Sequence, residues 1–249
     1  MRAILAILLT TALASAQFFP FPGPGRAPSG GGGPANFEYI SGAVAASGDA
    51  SGPTLVTGTF TYPAGSTVLV FAGANGTISG VTCNSQALTY LNLEWVQSNY
   101  RLRAYVLYNT SAGTNITCTA TWTASVPWRR IHAVAYTGLA ASSAYLQGAC
   151  GPAACPGGTG TPTTSRTTAN VTTTVPNTIH IAYLMNWNGI GTYTAATNYN
   201  LDVQAGSDVT SALLSRIVTA TGTYPSGNVA TANSDSYAAF YMVFTPAES

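Results

Sequence analysis

Apolar and polar residues alternate over a stretch in the middle of the chain. From Asn115 to Thr123 every second residue is apolar or cysteine, and the residues between are asparagine or threonine. A period of two places successive side chains on opposite faces, so the stretch predicts a β-strand with one face on a core and one in water. The inward residues are Ile116, Cys118, Ala120 and Trp122, and the outward ones are Asn115, Thr117, Thr119 and Thr121.

Other segments also favour strands. The run from Thr67 to Ala72 is almost entirely apolar and lies between turn residues, which predicts a strand buried on both faces. The run from Tyr237 to Thr245 is uncharged and β-prone, and we expect it to be central or covered because an exposed edge of this kind aggregates. Strands recur about every 8–12 residues with turns between them. We therefore predict an all-β fold, an antiparallel β-sandwich with a jelly-roll-like arrangement, over residues 37–246.

Two segments resemble each other in layout. Tyr62-Pro63 to Asn75-Gly76 and Val175-Pro176 to Asn188-Gly189 each run as a proline turn, an apolar strand and an Asn-Gly turn. The similarity is too short for a solenoid repeat. It marks either equivalent strands in two halves of a sandwich or a coincidence.

The sequence of the first 36 residues predicts two segments that lie outside the sandwich. Residues 1–16 combine Arg2, a short apolar run and a small-residue cleavage site, as in a secretory signal peptide. Residues 17–36 form an N-terminal arm rich in proline and glycine that includes Phe18, Phe19 and Phe21. This composition favours an extended spacer. The alternative is an arm whose phenylalanines dock in a groove of a neighbouring subunit.

The amino-acid composition excludes some classes of binding partner and indicates where the protein is located. Charged residues make up 6% of the chain and the net charge is +1, against about 25% charged residues in average soluble domains. The scattered arginines argue against nucleic acid and against an anionic membrane surface. No apolar run after the signal peptide is long enough for a transmembrane helix. We expect a secreted protein, extracellular or held at a cell surface.

Cysteines and sequons agree with that location. The four cysteines can pair in more than one way, and we expect Cys150 to pair with Cys155 in a tight loop and Cys83 to pair with Cys118. No histidine lies near them in sequence, so a zinc site is disfavoured. The predicted N-glycosylation sites are Asn75, Asn109, Asn115 and Asn170.

Sequence motifs for catalysis are lacking. His132 and His180 each sit in a strand pattern, which favours a structural role. The carboxylates show no spacing typical of a glycosidase pair. Asp202 and Asp208 flank a segment that resembles part of a calcium loop, but the ligand pattern is incomplete and a solvated loop is favoured. We therefore predict no catalytic residue, no metal and no cofactor, and a protein that is not an enzyme.

Aromatic residues near predicted turns are candidates for sugar binding. Trp187, Trp128 and Trp95 are the first choices, since exposed rings stack on sugar faces. The alternative for each is packing in the core or at its rim. Four tyrosines lie in similar places: Tyr100, Tyr193, Tyr199 and Tyr224.

The order of these segments resembles a known class of module. TYPAGSTVLVFAG is followed by VTCNSQALTYL, AYVLYNTSAGT, TCTATW and AVAYTGL. This succession resembles the jelly-roll β-sandwich modules of bacterial secreted proteins and of phage tail and adhesin proteins. The resemblance implies surface display, binding or assembly, and it supplies no catalytic residues.

Two functional hypotheses follow from the sequence. The first is a non-enzymatic structural subunit of an extracellular filament, coat or matrix, which binds copies of itself through the arm or by strand exchange. The second is a carbohydrate-binding or adhesive surface module. The arm and the sparse charge favour the first.

Overall fold

The computed structural model describes residues 37–47, 49–97, 99–151, 163–166, 170–186, 193–195, 198–205, 211–224, 229–235 and 237–247. The predicted signal peptide and the N-terminal arm, with Phe18, Phe19 and Phe21, lie outside the described residues. These residues form 21 strands and contain no helix.

The strands fall into two consecutive sets, which we call the N-terminal unit and the C-terminal unit. The N-terminal unit comprises β1 (Glu38–Ser47), β2 (Gly52–Val56), β3 (Phe60–Tyr62), β4 (Ser66–Ala74), β5 (Ile78–Cys83), β6 (Gln86–Ala87), β7 (Thr89–Gln97), β8 (Tyr100–Thr110), β9 (Gly113–Ile116), β10 (Cys118–Val126) and β11 (Arg129–Thr137). The C-terminal unit comprises β12 (Tyr145–Gly151), β13 (Thr163–Arg166), β14 (Val171–Thr173), β15 (Thr178–Asn186), β16 (Tyr193–Ala195), β17 (Asn200–Ala205), β18 (Ser211–Val218), β19 (Gly222–Tyr224), β20 (Val229–Asp235) and β21 (Tyr237–Phe244).

Both units have the same strand order. The N-terminal unit has a five-stranded inner sheet, β1-β11-β4-β8-β7, and an outer sheet, β2-β10-β5-β6. The C-terminal unit has an inner sheet, β12-β21-β15-β18-β17, and an outer sheet, β13-β20-β16. The antiparallel pairing is nested in each unit: the first strand pairs with the last, the second with the next to last, and so on inward.

The sheets stack in four layers around three apolar clusters. One cluster lies between the inner and outer sheets of the N-terminal unit, and another on the outer side of the inner sheet of the C-terminal unit. The largest lies between the two inner sheets. Consequently β4, β15 and β21 are buried on both faces along their whole length. The prediction of an antiparallel all-β sandwich is confirmed, and the described residues form four layers rather than a single pair of sheets.

The centre of the stack is an aromatic contact between the units. Phe71 of β4 and Tyr183 of β15 stack with ring centroids 3.8 Å apart and an interplanar angle of 2°. Each strand is the middle strand of its inner sheet. The layout similarity in the sequence therefore falls on strands in equivalent positions.

Two strands of the N-terminal unit are locally irregular. The segment from Leu55 to Tyr62 forms the end of β2 and all of β3, with a break at 57–59. The break has a physical reason, because the buried Thr57 bonds the Cys118 backbone through both its amide and its hydroxyl. By contrast, β7 is continuous from Thr89 to Gln97, although it has an irregular register and a left-handed Asn92 at φ 58°.

The predicted Cys83–Cys118 disulfide is present. The two residues lie directly opposite each other on β5 and β10, with a Cα–Cα distance of 4.1 Å. Both are fully buried between the sheets of the N-terminal unit. Cys150 is also disulfide-bonded, while its expected partner, Cys155, lies outside the described residues.

Candidate functional site

The apolar layer between the two inner sheets contains a polar cluster at one end. Ser211 of β18 lies with its Oγ 2.8 Å from Nδ1 of His132 on β11. The same hydroxyl also hydrogen-bonds the side chain of Tyr183. These residues line a narrow cleft, with Arg130 and Met185 beside them. The cleft has room for about one water molecule.

A serine beside a histidine invites comparison with a nucleophile and its base. Burial lowers the pKa of His132 to about 3, so the ring is a weak proton acceptor at neutral pH. Its Nε2 is buried without a hydrogen-bond partner, whereas a catalytic base is held by a further orienting group. The arrangement fits a contact that joins the two units through polar groups.

Acid should weaken the fold partly through His132. Its pKa is about 3 in the folded protein and about 6.5 in an unfolded chain. The unfolded state therefore binds more protons between these pH values, and stability falls as the pH drops from about 6.5 toward 3. The slope is at most about 1.4 kcal/mol per pH unit for one histidine.

Comparison with His132→Gln isolates this contribution. The glutamine has no titrating group, so its free energy of unfolding should depend less steeply on pH in this window. His180, whose pKa is lowered to about 4, and the carboxylates remain in both proteins. Urea denaturation at several pH values gives the two slopes, and identical slopes would contradict the assignment.

A carboxylate joins the inner sheets at the other polar cluster. Asp202 of β17 accepts hydrogen bonds from Tyr136 of β11 and from Ser215 of β18, both at 2.9 Å. Burial, followed by this carboxylate, raises the pKa of Tyr136 well above its usual value. Asp202 therefore lies in a strand and binds across the layers, which argues against the calcium-loop interpretation. Asp208 lies outside the described residues.

The second histidine belongs to a hydrogen-bonded chain inside the C-terminal unit. The ring nitrogens of His180 contact the hydroxyls of Thr178 and Tyr241, and Tyr241 contacts Tyr199 at 2.9 Å. Burial is the main cause of its lowered pKa, with Arg216 second. Both ring nitrogens have partners, as expected of a structural histidine.

Another acidic residue, Glu94 of β7, forms ion pairs with two arginines of the neighbouring strand β8. Glu94 pairs with Arg101 at 3.1 Å and with Arg103 at 2.8 Å. Within the described part of the chain, no group of three or more His, Cys, Asp or Glu residues could hold a metal ion.

The three candidate tryptophans have different locations. Trp128 lies in the turn before β11 and is 48% exposed. Trp95 lies within β7, fully buried in the layer between the inner sheets, so it cannot stack on a sugar at the surface. For Trp95, the alternative of packing in the core therefore holds. Trp187 lies outside the described residues.

The predicted glycosylation sites are all on the surface. Asn75, Asn109, Asn115 and Asn170 are exposed. Asn109 and Asn115 adopt left-handed φ angles of 48° and 55°, as asparagine does more readily than most residues.

The outer sheet of the N-terminal unit presents a neutral face to solvent. Thr119 pairs with Val56 on one side and with Thr82 on the other, and Thr121 pairs with Thr54. These side chains point away from the core and are exposed or half-exposed. The alternation in the sequence thus forms cross-strand pairs of threonine on this face.

No protein-family model, curated protein or solved structure matches this chain. The described residues include no helix long and apolar enough to cross a membrane.

Proposed function

We propose that the protein is a secreted structural subunit of an extracellular filament, coat or matrix. The observation that carries this proposal is the four-layer stack, in which the central strands are sealed on both faces. The polar clusters between the layers link the two units. Strands that are covered on both faces in this way suit a building unit.

The surface supports an extracellular setting. Cross-strand pairs of threonine replace charge as the solvating groups, and four exposed sequons offer sites for glycans. The buried disulfide belongs to an oxidising compartment. The nested pairing in each unit supports the jelly-roll connectivity expected from the sequence.

The N-terminal arm is the proposed assembly element. The described chain begins at Phe37, which is 5% exposed and stacks on Tyr136 with ring centroids 5.4 Å apart. The next residues form β1, an edge strand of the inner sheet. The described chain therefore starts at the edge of a sheet, and edge strands can pair with a strand of a neighbouring subunit.

Removing the arm tests this proposal. The mature chain, residues 17–249, should form filaments or sheets in electron micrographs, and residues 35–249 should remain monomeric in analytical ultracentrifugation. Far-UV circular dichroism should show that the truncated chain keeps its β-structure, since β1 starts at Glu38.

A second pair of variants distinguishes the effect of the phenylalanine side chains on assembly from the effect of arm length. Replacing Phe18, Phe19 and Phe21 together by serine should abolish assembly like the truncation, because docking requires apolar anchors. Deleting Gly30–Gly33 shortens the arm, keeps the phenylalanines and should preserve assembly. Polymerisation of the truncated chain would overturn the mechanism.

A further inference from the structure

An arginine on the C-terminal unit lies over two tyrosine rings. The guanidinium carbon of Arg216, on β18, lies 5.2 Å from the ring centroid of Tyr199 and 5.0 Å from that of Tyr224. Hydroxyl groups fix both rings, since Tyr224 donates to the Ala220 carbonyl at 2.6 Å and Tyr199 contacts Tyr241. We call these three residues, Arg216, Tyr199 and Tyr224, the arginine clasp.

Within the arginine clasp, the N–H groups of the guanidinium do not hydrogen-bond to any described residue. Arg216 makes no hydrogen bond or ion pair with any described residue, and its Nε is buried without a partner. By contrast, Arg103 stacks on Tyr90 in the N-terminal unit but also pairs with Glu94. Because the guanidinium carbon lies over both rings, the terminal N–H groups of Arg216 are the part of the side chain left for a ligand.

The guanidinium of Arg216 favours ligands with a particular chemistry. The guanidinium presents its N–H groups as a flat fork that matches two oxygens of a carboxylate or sulfate. The rings also hold the side chain in one orientation, so little conformational entropy is lost on binding. The nearby histidine, His180, is edge-on to Tyr224 with ring centroids 5.3 Å apart and carries no competing negative charge.

Exposed threonines lie between Arg216 and Tyr224 in the chain. They are Thr219, Thr221 and Thr223, on the segment that leads through β19 to Tyr224. The hydroxyl of Thr223 lies 2.7 Å from that of Thr172 on β14, and alternation along the strand places it on the face opposite to Tyr224. A single cation beside hydroxyl groups matches a ligand that combines an occasional acidic group with many hydroxyls.

From these observations we propose that the arginine clasp binds an acidic sugar, through a carboxylate or sulfate on the fork of Arg216 and hydroxyls on Thr219 or Thr221. The site is separate from the proposed assembly arm. It would attach the subunit to an acidic polysaccharide.

Binding assays with defined polymers test the site. The full mature chain is titrated by biolayer interferometry against immobilised polygalacturonate, dextran sulfate and neutral dextran. We expect binding to one or both acidic polymers, weakened by salt, and none to neutral dextran. The carboxylated and sulfated polymers distinguish the two sources of the oxyanion.

Substitutions test whether the arginine clasp is the site that binds the acidic polymers. Arg216→Gln should lower affinity about tenfold or more, since it removes a charge-assisted hydrogen-bonding group, and Arg216→Lys should restore it only in part. Arg103→Gln is the matched control, because that arginine already pairs with Glu94, and it should bind normally. Trp128→Ala should also bind normally, which separates the clasp from the exposed tryptophan.

Three results would overturn the proposal. They are unchanged binding by a folded Arg216→Gln protein, no binding of the wild-type chain to either acidic polymer, and equally tight binding to polyglutamate. Melting temperatures of all variants establish that they are folded. Failure of the arm deletion to block assembly would leave this binding result unaffected, so the two proposals fail independently.

Discussion

Replacing Phe71 by alanine should lower the free energy of unfolding by about 3–5 kcal/mol. Phe71 is 1% exposed at the centre of the layer between the inner sheets. It stacks on Tyr183 and also contacts Phe240, with ring centroids 6.3 Å apart. The rigid sheets on either side cannot collapse into the space, so a cavity should remain. Urea denaturation at neutral pH measures the loss.

A double-mutant cycle tests whether the stability contributed by Phe71 depends on its contact with the C-terminal unit. Phe71→Ala and Tyr183→Ala should be coupled by about 0.5–1.5 kcal/mol, because each removes the partner of the other's ring. Phe60→Ala is the matched control: Phe60 is 4% exposed but lies in the other cluster of the N-terminal unit. It should destabilise without coupling to Tyr183. Additive effects of Phe71→Ala and Tyr183→Ala would contradict the shared core.

Removing the disulfide with Cys83→Ala and Cys118→Ala should lower the free energy of unfolding by about 4 kcal/mol. The bond joins residues 35 positions apart, so it restricts a long loop of the unfolded chain. Both sites are fully buried, and alanine introduces no polar group there. Equilibrium denaturation of the variant and the wild-type protein gives the difference.

The neighbouring cross-strand pair provides the control. Thr82 and Thr119 are adjacent to the two cysteines and lie opposite each other on the same strands, but they point outward. Replacing both by serine should change stability by less than about 0.5 kcal/mol. A loss of under 1 kcal/mol in the cysteine variant would show that the bond does not restrict the unfolded chain as argued.

The strands could be predicted well because they are encoded locally. The short apolar run at Thr67–Ala72 and the uncharged run at Tyr237–Thr245 lie in strands that are buried throughout. Period-two alternation likewise identified β10, but the predicted strand started too early, because Asn115 and Ile116 belong to β9, which pairs with β3 in a separate sheet. These signals depend only on near neighbours in the chain.

The four-layer stack could not be predicted in the same way. An apolar run shows that both faces of a strand are covered, but not which sheet covers each face. Even the similarity between the two segments is misleading in detail. Aligning Pro63 with Pro176 would match Phe71 with Leu184, which faces the outer side of its sheet, whereas Phe71 meets Tyr183.

The polar sites depend on residues that are distant in sequence. His132 was assigned a structural role, but its partner, Ser211, has no local signal and lies 79 positions away. Tyr199 and Tyr224 were recognised as candidates from their positions near turns. Arg216 was not, because a lone arginine in a strand usually indicates a solvated position.

The claim that both units share one buried layer has a direct test in backbone hydrogen exchange. The amides of β4 and β15 should be the slowest in the mature chain, with the same free energy of opening, equal to that of global unfolding. This follows because each strand depends on the other inner sheet for one of its buried faces. Opening of β15 at a much lower free energy than β4, or the reverse, would show that the units unfold separately and would contradict the account.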